Sequence, residues 1–99
     1  MSGMVTVRAR LKGELADMQK LHDEVIGATQ EMAKRAGDIS HVALLGPPDG
    51  NEILVIDEWE SAEVVEAFVG DPQIQEFFGN LFDGPPEIRV WQNQGWNQW

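Results

Sequence analysis

The chain has no cysteine. That excludes disulfides, thiolate nucleophiles and cysteine-ligated metal. Basic residues are few: Lys plus Arg number 7 against 17 Asp plus Glu, for a formal net charge of -10. A surface of this sign repels phosphate backbones and disfavours anionic membranes and strongly anionic substrates. Nucleic acid is therefore not an expected partner, and the plain role of the charge is solubility. No apolar run is long enough to span a bilayer, and no basic segment followed by an apolar one opens the chain. The expectation is a soluble, cytoplasmic protein with no membrane partner. The two histidines, His22 and His41, lack a metal-ligand spacing, so no metal is expected. Gly46 and Gly50 flank prolines and do not open a helix, and no serine sits in a G-x-S-x-G elbow. With no nicotinamide or flavin fingerprint either, no cofactor is expected.

What is present is a short chain with an ordinary apolar fraction of 42% over 99 residues. It reads as one domain, residues 1–99, with an aromatic tail at 93–99. A chain this short buries only about two-thirds of its unfolded surface, so association with a second copy would help it.

Met4 to Leu11 alternates, with Val5, Val7, Ala9 and Leu11 on one side, and predicts a strand. Glu14 to Ala36 reads as one helix whose stripe is Leu15, Met18, Leu21, Val25, Met32 and Ala36, ended by Gly37. Ile39–Leu45 is a second strand with His41, Ala43 and Leu45 on one face. Residues 46–51, G-P-P-D-G-N, form a loop. Glu52–Trp59 is a third strand, apolar on both faces at Ile53–Ile56. Ser61 caps a helix reaching Val69. Asp71 followed by Pro72 starts another, carrying Ile74, Phe77, Phe78 and Leu81. Glu87–Gln92 is the last strand. The order β-α-β-β-α-β is ferredoxin-like, an α+β fold with a four-stranded antiparallel sheet. Helices would cover one face only, and apolar residues on the other suggest a homodimer.

Three polar or amphipathic residues fall on apolar faces. Trp59 ends the central strand, as a pocket wall or as a core residue at the sheet–helix junction. His22 lies about 40° from Met18 on the helical wheel, near Thr29, facing a pocket or held as a core histidine. Asp57 shares a face with Ile53, Val55 and Trp59, as a general base or as the partner of an arginine on a neighbouring strand. His41 is expected to be exposed. Trp96 and Trp99, in the tail, are expected to pack on a partner subunit or across a pocket mouth.

The run N-E-x-x-V-x-D-E-W-E-S at 51–61, then Ala67-Phe68 and Asp71-Pro72, resembles the antibiotic biosynthesis monooxygenase family. The resemblance implies a dimeric α/β barrel. It also implies a cofactor-independent monooxygenase acting on a small aromatic or quinoid molecule. In the haem-degrading branch the matching Trp works with a His on the following helix and an Asn on the first strand. Here those partners are missing, and Trp59 alone carries over. The expected acid–base and wall residues are His22, Asp57 and Trp59, with Met18, Thr29, Phe68 and Phe77 lining the pocket. The alternatives are a non-catalytic homodimer that binds a small hydrophobic ligand or serves in interaction, and an isomerase or cyclase on the same fold.

Overall fold

The computed structural model describes residues 3–47, 51–61, 63–97 and 99. Pro48, Asp49 and Gly50 of the expected loop lie outside the described residues. The elements run β1 (Gly3–Arg10), α1 (Leu15–Ala36), β2 (Asp38–Leu45), β3 (Glu52–Trp59), α2 (Glu63–Val69), α3 (Pro72–Leu81) and β4 (Glu87–Gln92). The four strands form one antiparallel sheet in the order β2-β3-β1-β4. This is the ferredoxin-like arrangement that the element order predicts.

Local chemistry sets the joints. Gly37 ends α1 at φ 112°, and its N–H reaches the carbonyls of Ala33 and Lys34. A side chain at that φ would be strained, so Gly is the residue that lets β2 begin one step later. Asp71 caps α3 by accepting from the Gln73 N–H at 2.8 Å, and Pro72 occupies the first helical turn. The Ser61 hydroxyl accepts from the Glu63 N–H at 3.2 Å ahead of α2.

The core lies on one face of the sheet. Val5, Val7, Ile53, Val55 and Trp59 meet Val65, Leu81 and Phe82 from the helical side. Burial of each large side chain contributes about 1.5–3 kcal/mol. The stripe of α1 is rotated from the expected one: Ala33 is its buried residue, whereas Leu15, Met32 and Ala36 are exposed. A helix of 22 residues spans about 33 Å against about 26 Å for an eight-residue strand, so its ends overhang the sheet.

The opposite face carries Met4, Val42, Leu44 and Trp91, all exposed, with Leu54 and Ile56 between them. On the same face, Arg8 pairs with Glu52 at 2.5 Å and Arg89 with Glu87 at 2.8 Å. Trp96 and Trp99 are exposed and do not cross the cavity described below. No helix among the described residues is long and apolar enough to cross a membrane.

Candidate functional site

Between the helices and the sheet lies a cavity of about 470 Å³. That is within the range of about 300–1,000 Å³ typical of small-molecule sites. Trp59, Thr29, Phe68 and Phe77 line it, as do His22 and Asp57. Met18 instead packs against the core and is not part of the wall. A one-turn rise along α1 carries it past the cavity's end. Trp59 is 2% exposed, and its ring lies 5.0 Å from that of Phe68.

His41 lies on the edge strand and is exposed, as expected, yet its side chain, 26% exposed, turns toward the helices and joins the polar groups there. Its Nδ1 lies 2.8 Å from Asp57 Oδ1, its direct neighbour in the β2–β3 register. Its Nε2 lies 3.0 Å from His22 Nε2, and His22 Nδ1 lies 3.0 Å from Asp23 Oδ1. The His22 and Asp57 side chains are 13% and 16% exposed, whereas Asp23, at the outer end, is 63% exposed and reaches water.

Asp38 extends the chain beyond Asp57. In a regular strand Asp38 and His41, three residues apart, would face opposite sides. A register shift between Asp38 and Ser40 places Asp38 opposite Trp59 and His41 opposite Asp57, so both face the helices. Asp38 Oδ1 is buried and accepts from no donor. A carboxylate there would be costly. Burial, and then the contact with the Asp57 carboxylate, push the Asp38 carboxyl up to about 8, partly opposed by the Ser40 backbone N–H. At neutral pH Asp38 therefore holds a proton and donates it to Asp57.

The result is a polar line, His22, His41, Asp57 and Asp38, along one side of an otherwise apolar chamber. Such a line can accept a proton from a bound hydroxyl and deliver one to a departing oxygen. Among the described residues no group of three or more His, Cys, Asp or Glu is placed to hold a metal ion.

Residues 4–80 match the model of the antibiotic biosynthesis monooxygenase family. No curated protein matches the chain in sequence. Among solved structures, SnoaB, a cofactor-independent oxygenase from Streptomyces nogalater, is similar with a TM-score of 0.70 at 14% identity. The match covers 94% of this chain and 93% of that one. A conserved protein from Methanosarcina mazei Go1 has a TM-score of 0.68 at 13% identity, covering 95% and 94%. Rv0793 from Mycobacterium tuberculosis has a TM-score of 0.62 at 16% identity, covering 94% and 95%. At these identities the likeness is one of fold.

Proposed function

Because the chain belongs to the antibiotic biosynthesis monooxygenase family, we propose that it oxygenates a small aromatic or quinoid molecule held in the sheet–helix cavity, without a cofactor. The observation that carries this reading is the division of the cavity wall. Phe68 and Phe77, backed by Val55 and Trp59, offer apolar surface, and His22, His41, Asp57 and Asp38 gather on one side. A planar ring system with a polar edge is the ligand shape that such a wall accepts.

The chemistry follows from the polar side. His22 or Asp57 removes a phenolic or enolisable proton, and the resulting anion is rich enough in electrons to reduce dioxygen. A ring carbon that begins with two hydrogens ends as a carbonyl. One oxygen atom stays on that carbon, and the other leaves as water with the two hydrogens. The electrons come from the substrate, so the balance closes without another reductant. Phe68 and Phe77 pack against the anion, with Trp59 holding the Phe68 ring from behind, and the apolar wall keeps water away from it.

The apolar patch around Met4, Val42, Leu44 and Ile56 supports a homodimer joined through the open sheet face. Light scattering would then give twice the 11.1 kDa of one chain.

The test is oxygen uptake with a panel of naphthoquinols and anthrones, with labelled dioxygen to trace the incorporated atom. Saturable uptake is expected, with one labelled oxygen per product and a loss of about 100-fold in His22→Ala or Asp57→Asn. Uptake no faster than in protein-free controls, for every compound, overturns the reading.

A further inference from the structure

The two histidines meet nitrogen to nitrogen, with 3.0 Å between the Nε2 atoms. Their ring centroids lie 5.2 Å apart and the planes are 20° from parallel. That separation is close to the largest that a 3.0 Å nitrogen contact allows, so each ring aims its Nε2 along the line to the other. Two ligands of one metal ion would aim at a third point and bring the centroids closer. The outer nitrogens are both engaged, His22 Nδ1 by Asp23 and His41 Nδ1 by Asp57. Carboxylate oxygens accept, so each Nδ1 carries its hydrogen. Both Nε2 atoms are then lone pairs facing each other. Two protons on the four nitrogens leave that central contact repulsive, and three satisfy every contact.

We propose that His22 and His41 act together as one base, taking up a single proton and sharing it between their Nε2 atoms. The source of that proton, an acidic hydroxyl or enolisable hydrogen of the bound ligand, rests on the function proposed above. Before uptake, the two lone pairs face each other, a repulsive contact that one ring relieves by turning its Nε2 to a ligand hydroxyl. The hydroxyl gives its proton to that Nε2: the O–H bond breaks, the N–H bond forms, and the ligand keeps the electron pair as an anion. The ring then turns back and the proton is shared with the other Nε2, which a single imidazole cannot do. After oxygen transfer the same proton goes to the departing oxygen, and the pair is reset.

The surroundings favour one shared proton. The charged groups near the pair are Asp23 and Lys34 of α1, Asp38 of β2 and Asp57 of β3, with Glu60 beside Gly37 beyond the end of β3. Asp23 and Asp57 sit at the two ends, two carboxylates flanking the one shared positive charge. The α2 and α3 helices bring only apolar side chains to the cavity, and the Phe77 ring lies 6.4 Å from His22. A second proton would set two like charges across a 3.0 Å contact.

The experiment is a pH titration of the full chain labelled with 15N, following the imidazole nitrogens without ligand. Between about pH 8 and about pH 5 the two histidines are expected to take up one proton in total, with a common midpoint. His22→Gln should move the midpoint of His41, and His41→Gln that of His22. Independent uptake of one proton by each ring, indifferent to replacement of the other, overturns the proposal. In oxygen uptake, His22→Gln, His41→Gln and the double variant should lose the same factor, since half of a shared base is no base. Losses that multiply in the double variant overturn it as well. The titration needs no turnover: a shared proton without oxygen uptake supports the paired base while removing the oxygenase reading alone.

Discussion

The two flanks of the cavity divide the labour of the molecule. On the side of α2 and α3, Val65, Ile74, Leu81 and Phe82 are buried and tie the helices to the sheet. On the side of α1 and β2, the wall mixes His22, Thr29, Gln30, Asp38 and His41 with Val25, Ile26 and Ile39, and α1 buries only Ala33 among its residues. The first flank is held by area removed from water. The second is held by directional contacts between groups that would otherwise be solvated. Stability and proton chemistry are thus separated across one chamber, and substitutions on the two sides should fail in different ways.

The sharpest break of this contrast is Trp59→Ala. It should cost about 3–5 kcal/mol in urea unfolding, because an almost fully buried indole leaves a void. On the opposite flank Thr29→Val, which loses only a bond to the Val25 carbonyl, should stay within about 1 kcal/mol. Equal costs would erase the distinction.

A smaller effect, visible only as a slope, comes from Asp38. Its folded carboxyl keeps a proton to about pH 8, whereas the unfolded one releases it near about pH 3.9. Between these values the folded chain binds more protons, so stability falls as pH rises through that window and levels off above it. Asp38→Asn cannot ionise and should lack the fall. Its melting temperature should exceed the parent's by roughly a few degrees at pH 9 and match it near pH 4. A parallel decline in both proteins would show that Asp38 is not the group responsible. On the first flank, Asp71→Ala removes the α3 cap without opening a void and should cost only about 1 kcal/mol in the same unfolding assay.

The elements were legible because their signals are local. Gly37, Asp71 with Pro72, and the alternation of Val5 and Val7 each announce a boundary or a face within a few residues. His22 and Asp57 drew notice as polar groups on apolar faces, and both line the cavity. His41 and Asp38 did not, because what places them is the pairing of β2 with β3. His41 becomes a neighbour of Asp57 only through a register fixed by distant contacts. The orientation of α1 was missed in part for a similar reason. Periodicity gives a stripe, but the sheet decides which edge of that stripe is covered, and here Met32 lies outside it.

The irregularity between Asp38 and Ser40 has a consequence for how this site could arise or vanish. Any residue can be exchanged one at a time, yet no exchange alters the count of positions between Asp38 and His41. Were the segment to pair regularly with its three-residue spacing kept, strict alternation would turn either the acid or the imidazole toward the open face, whereas loss of Ile39 with the irregularity would leave both facing the helices. The corner is therefore held by the pairing of the segment as much as by its residue types. Two relatives with the same residue types would differ in chemistry wherever one of them lacks the irregularity.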